Sequence, residues 1–116
     1  MDEFISVMKA LSDPGRVRII KLLQGHRLCA GEIQRVLGLA QPTVSSHLKM
    51  LEHAGFIEKK RQGSRMIFSL SDGSQSAYVE TMLVELCQWL DDDKLLTDIR
   101  RSLVEADTLA CCYENN

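Results

Sequence analysis

A chain of 116 residues that is 45% apolar and 26% charged has the length and balance of one soluble domain, which excludes a disordered chain. It lacks the run of about 18 uncharged apolar residues that a transmembrane helix needs. Its start, Met1-Asp2-Glu3-Phe4, lacks the basic and apolar blocks of a secretory signal, so no membrane association and a cytoplasmic location are expected. The net charge of −2 conceals an asymmetry, because residues 1–65 carry eleven Lys and Arg against six Asp and Glu, and residues 66–116 carry three against ten. A basic front half fits docking onto a polyanion.

Phe4, Met8 and Leu11 recur at helical spacing and predict a short helix over residues 3–11. Ser12-Asp13-Pro14 is a helix-start signal, with Asp13 as the cap and Pro14 in the first turn. The helix that follows buries Val17, Ile20 and Leu23, presents Arg16, Arg18 and Lys21 on its other sides, and ends at Gly25. Residues 30–37 form a third helix with Ile33, Val36 and Leu37 inward and Gly38 as its stop. Three residues later a fourth begins at Gln41-Pro42-Thr43, with Val44, Leu48 and Leu51 inward and Gly55 at its end. Two helices joined by so tight a turn form a helix-turn-helix.

The period then changes. Residues 56–60 and 66–70 read as strands around Arg61-Gln62-Gly63-Ser64-Arg65, a hairpin with a basic tip. Residues 75–91 are helical, with Tyr78, Met82, Leu86 and Trp89 or Leu90 along the apolar face, and residues 95–109 can form one more helix. The expected architecture is mainly α with a small β-hairpin, a winged helix-turn-helix. Residues 1–92 are expected to form this domain, and residues 93–116 a C-terminal helical extension with a cysteine-bearing tail.

The segment QPTVSSHLKML over residues 41–51 carries the functional signal. Its outward positions are Gln41, Thr43, Ser45, Ser46, His47 and Lys49, hydrogen-bonding residues mostly of little bulk. Short polar side chains let a helix sit deep in the major groove; Gln can pair both adenine edge groups, and Lys suits phosphate. At the hairpin tip, Arg61 and Arg65 rank above Lys59 and Lys60 as contacts to the sugar-phosphate backbone. Double-stranded operator DNA is therefore the expected partner. A winged helix serving only protein interaction is the competing reading, and it predicts no steep loss of binding with salt. Nothing supplies an orienting third group beside His26 and Cys29 or a phosphate-cradling loop, so the chain is not expected to be an enzyme.

VMKALSDPGRVRIIKLL, LCAGEIQRVLGLAQPTVSSHLKMLEHAGFI and RQGSRMIFSL together resemble the ArsR/SmtB family of metalloregulatory repressors, over residues 4–70 without a gap. The resemblance implies a cytosolic homodimer that represses its own operon and leaves DNA when an inducer binds. It also implies a dimer interface made by the first and fifth helices, here residues 3–11 and 75–91.

Four cysteines, Cys29, Cys87, Cys111 and Cys112, are expected to be thiols in a cytosolic chain. No Cys-x-x-Cys or His-x3-His pair exists, which excludes a zinc ribbon or finger. Of the family's sensing sites, the zinc type on the fifth helix needs histidine, and residues 75–93 contain none. The arsenic type has a Leu-Cys-x-Cys run at the third helix, where Leu28-Cys29-Ala30-Gly31 keeps only the first cysteine. Cys111 and Cys112 supply two further thiolates, with Cys29 or Cys87 as the third, a set suited to arsenite or antimonite as inducer. No obligatory cofactor is expected. The alternatives are the same repressor sensing thiol oxidation or reactive sulfur, or a divalent metal such as cadmium or zinc.

Overall fold

The computed structural model describes residues 1–105. Local chemistry sets most helix boundaries. Helix α1 (Asp2–Ala10) leads into α2 (Pro14–Leu22), which opens where the Asp13 carboxylate accepts the N–H groups of Gly15 at 2.8 Å and Arg16 at 3.3 Å. A two-residue strand β1 (Leu28–Cys29) runs directly into α3 (Ala30–Leu37), where the Glu32 carboxylate reaches back to accept the Cys29 N–H at 3.1 Å. Gly38 ends α3 in the left-handed region at φ 66°, which lets the chain turn within three residues into α4 (Gln41–Ala54).

Strands β2 (Ile57–Gln62) and β3 (Arg65–Leu70) form the hairpin, and β1 pairs antiparallel on the other edge of β3 to give the order β1-β3-β2. Helices α5 (Ala77–Leu86) and α6 (Lys94–Glu105) follow. The core gathers Ile19, Ile20 and Leu22 of α2, Ile33 of α3, Val44, Leu48 and Leu51 of α4, and Phe56. Val7 and Ala10 of α1, Val79 and Leu86 of α5 and Ile99 of α6 close it from the other side. Each large apolar side chain so enclosed contributes on the order of 1.5–3 kcal/mol.

The winged helix-turn-helix expected from the sequence is present, with several corrections. The sheet has a third strand, β1, too short to show any alternation of its own. In α1 the fully buried residues are Val7 and Ala10, whereas Phe4 is exposed and stacks edge-on against Tyr78 with ring centroids 5.3 Å apart. The inward face of α5 is Val79 and Leu86 flanked by Met82 and Leu83; Tyr78, Trp89 and Leu90 are exposed. This helix also stops at Leu86, well short of residue 91.

Lys21 explains that stop and is itself the largest correction. It is 0% exposed rather than outward. Its Nζ donates to the Leu86 carbonyl at 2.6 Å and pairs with Asp91 at 2.6 Å, while Gln24 Nε2 donates to the same carbonyl at 2.9 Å. Two side chains from outside thus claim an acceptor that the next helical turn would need. The chain leaves the helix, and Leu90 adopts φ 63°. Asp93 then caps α6 by accepting the Leu96 N–H at 3.1 Å and pairs with Arg18 at 3.4 Å, which seats Leu96 and Ile99 in buried positions. Residues 106–109 of the last expected helix lie outside the described residues.

Candidate nucleic-acid interface

Helix α4 rests on the core through Val44, Leu48 and Leu51 and leaves Gln41, Thr43, Ser45, Ser46 and Lys49 exposed. Its N-terminal turn and the wing enclose a cleft of about 770 Å³. Gln41 and Ser45 of α4, Arg35 of α3 and Ser64 and Arg65 of the wing are among the residues that line it. The fold therefore brings Gln41, Ser45 and Arg65 into one concavity, which Leu39, Val44, Met66 and Phe68 also line. Thr43, Ser46 and Lys49 lie outside that cleft on the exposed surface of α4.

Arg61 lies in a second groove, of about 290 Å³, together with Arg27, Lys60 and Arg65 and the carboxylates of Glu32 and Glu58. Lys59 pairs with Glu52 near the end of α4 at 3.6 Å, linking the wing to that helix.

His47 departs from its expected outward place. Its side chain is 12% exposed and turns onto the start of α2, with Nε2 3.4 Å from Asp13 Oδ2 and Nδ1 3.4 Å from the Arg16 guanidinium. Partial burial raises the Asp13 carboxyl, but the N–H groups of Arg16 and Gly15 and the charges of His47 and Arg16 outweigh it. Asp13 accordingly sits below its ordinary value of 3.8.

Arg27, Arg35 and Ser64 were not singled out from the sequence. The outward position of Arg35 opposite Ile33 is a signal that was present; the place of Arg27 follows only from β1, which the sequence did not reveal.

The cysteines are spread over the fold. Cys29 caps α3 with 8% exposure and lines the cleft between wing and recognition helix, while Cys87 is exposed at the end of α5. Cys111 and Cys112 lie outside the described residues. Among the described residues no three His, Cys, Asp or Glu side chains converge as a metal site, and no helix is long and apolar enough to cross a membrane.

Residues 13–59 match the family of bacterial regulatory proteins of the arsR type, the stretch from the cap of α2 through α4 into β2. The chain is 38% identical over 66 residues to the transcriptional repressor SdpR of Bacillus subtilis, covering 57% of this chain and 73% of that one. It is 32% identical over 69 residues to an arsenical resistance operon repressor of Staphylococcus xylosus, covering 60% of this chain and 66% of that one. Its fold superposes with a TM-score of 0.62 on the homodimeric winged helix-turn-helix DNA-binding domain of a possible ArsR-family regulator from Mycobacterium bovis, 24% identical, over 78% of this chain and 83% of that one. The helix-turn-helix, the wing and these likenesses converge: the chain belongs to the ArsR family of DNA-binding transcriptional repressors and is not an enzyme.

Proposed function

We infer that this repressor acts in the cytoplasm as a homodimer that lays α4 of each subunit in the major groove and leaves its operator when a thiophilic inducer binds. The observation that carries the DNA geometry is the exposed face of Gln41, Thr43, Ser45, Ser46 and Lys49 beside Arg65 of the wing. Gln41 and Ser45 are suited to base edges, while Thr43, Ser46 and Lys49 suit phosphates on the groove walls. Arg61 and Arg65 grip the backbone flanking the groove. Exposed Phe4 and Ile5 of α1 and Tyr78 and Val84 of α5 supply an apolar surface for the second copy. Such a dimer reads half-sites about one DNA turn apart.

Binding of the protein to a duplex from the promoter of its own gene, followed by anisotropy across a salt series, tests this reading. Binding is expected to weaken steeply with salt, and Arg61→Ala or Arg65→Ala should each reduce the slope of log affinity against log salt by about 0.9. A flat salt response would instead favour a winged helix used for protein interaction.

For the inducer, the donor chemistry favours arsenite or antimonite. Cys29, Cys87, Cys111 and Cys112 are soft thiolate donors, and a similar protein from Staphylococcus xylosus is an arsenical resistance operon repressor. Only Cys29 and Cys87 are described, on different elements, so within one subunit a three-sulfur site needs Cys111 or Cys112. An inducer that binds the DNA-free geometry more tightly shifts the population away from the operator-bound one. Arsenite is expected to release the promoter duplex from the wild type and to leave Cys111→Ser with Cys112→Ser bound to it. The exposure of Cys87 favours a second reading, release by thiol oxidation, which mild oxidant in place of arsenite distinguishes.

A further inference from the structure

We propose that Asp13, Arg16 and His47 form a positioning network that holds the recognition helix in register, His47 acting on DNA affinity through its two partners and not by touching DNA. The proposal rests on the DNA-binding geometry inferred above. Its structural basis is independent of DNA.

One guanidinium joins three helices. Arg16 Nε donates to the Ala10 carbonyl at 2.8 Å and a second nitrogen donates to the Lys9 carbonyl at 3.2 Å, so the last turn of α1 fixes the side chain. Its remaining terminal nitrogen lies 3.4 Å from His47 Nδ1 on α4. On the other side of the ring, Nε2 faces Asp13 Oδ2 at 3.4 Å. That oxygen is already held by the N–H groups of Gly15 and Arg16. With a hydrogen on Nε2, the ring presents Nδ1 as an acceptor to Arg16 and Nε2 as a donor to Asp13.

Space enforces the arrangement as well. A Cβ on Gly15 would stand 3.0 Å from both Asp13 Oδ2 and His47 Nε2, so a larger residue there would press on the two side chains that join α2 to α4. His47 directly follows Ser45 and Ser46, and a shift of its ring displaces the groove-facing positions beside it. A recognition surface must be held to a fraction of an ångström by residues locked from behind. Because Arg16 is seated on α1, which belongs to the proposed dimer interface, the same network ties recognition-helix register to the packing of the two subunits.

The test uses a duplex enriched by the wild-type protein from a random-sequence library, with affinity read across a salt series. His47→Ala and Asp13→Asn are each expected to weaken binding about tenfold at an unchanged salt slope. The double variant should be no weaker than the worse single variant to within about twofold, since the residues act as one unit. His47→Gln, which can still accept from Arg16 and donate to Asp13, should stay within about threefold of the wild type. Asp13→Asn, a partly exposed isostere, keeps the test decisive if His47→Ala does not fold. A shallower salt slope for His47→Ala with Asp13→Asn at wild-type affinity would mean a direct phosphate contact and would overturn the network. Multiplying effects in the double variant would also overturn it. If the wild type enriches no duplex, the DNA-binding geometry falls together with the network; if it does and His47→Ala binds normally, the network alone falls.

Discussion

Helices α4 and α5 are alike on the inside and opposite on the outside. Each packs a short apolar stripe on the core, Val44, Leu48 and Leu51 in one and Val79 and Leu86 in the other. Outside, α4 offers Gln41, Thr43, Ser45, Ser46 and Lys49, whereas α5 offers Tyr78 and Val84. Small hydrogen-bonding groups stay hydrated at no cost and exchange water readily for base edges and phosphates. An exposed apolar face has no such exchange to make and gains only when protein covers it, by roughly 25 cal/mol per Å². Under the proposed function α4 serves the wet, charged partner, and α5, although Glu80 and Thr81 are also exposed on it, serves the dry one.

The contrast breaks most visibly when acids enter α4. Ser45→Glu with Ser46→Glu places two carboxylates against the phosphates, and promoter affinity should fall at least 100-fold while the mass by light scattering stays that of the dimer. A charge on α5 should do the reverse. Val84→Glu, at a residue 57% exposed, is expected to weaken the dimer by about 10- to 100-fold and to spare the stability of the subunit. Its loss of promoter binding should be recovered by raising the protein concentration, as mass action requires. If the acids on α4 split the dimer, or Val84→Glu abolished DNA binding at unchanged mass, the two faces would have to be exchanged.

A smaller effect is expected at the end of α5, where Lys21 of α2 binds the Leu86 carbonyl. Breaking a buried pair by removing one partner costs about 3–5 kcal/mol when both are enclosed. Here Lys21 is fully enclosed but Asp91 is largely exposed, so Lys21→Ala should cost about 2–3 kcal/mol in urea unfolding. Lys21→Met keeps most of the volume and should recover more than half of that loss. Equal losses in the two variants would assign the effect to the ion pair and carbonyl bond rather than to packing.

Lys21 and His47 also mark where sequence reading reached its limit. The stripe Val44, Leu48 and Leu51, the Asp13-Pro14 start and the Gly38 stop are legible because period and cap chemistry act locally. At 100° per residue, however, Lys21 falls about 40° from Val17, and His47 about 60° from Val44, both beside the buried stripe. Polarity argues that such residues face outward, while helical angle argues inward. In both cases angle prevails, because another element supplies partners: the Leu86 carbonyl and Asp91 for Lys21, Asp13 and Arg16 for His47. β1 was illegible for the same reason. Two residues carry no period, and only pairing with Ile67 and Phe68 makes them a strand. The candidate DNA face was correspondingly clear at Gln41 to Ser46 and unclear at Arg27, whose place depends on that strand.

The least effect expected is the acid dependence carried by Asp13, and its sign is fixed by the bonds that the carboxylate accepts. Because the folded chain holds Asp13 below 3.8, its stabilising contribution is complete above the unfolded value and is lost as pH falls through the lower folded value. The side chain is 38% exposed, so solvent screening keeps the contribution under about 1 kcal/mol. Urea unfolding should therefore find Asp13→Asn less stable than the wild type at about pH 5, with the margin closing below about pH 4. A margin that widened below about pH 4 would mean that the carboxylate is strained rather than stabilised where it caps α2, and the anchor proposed for His47 would lose its support.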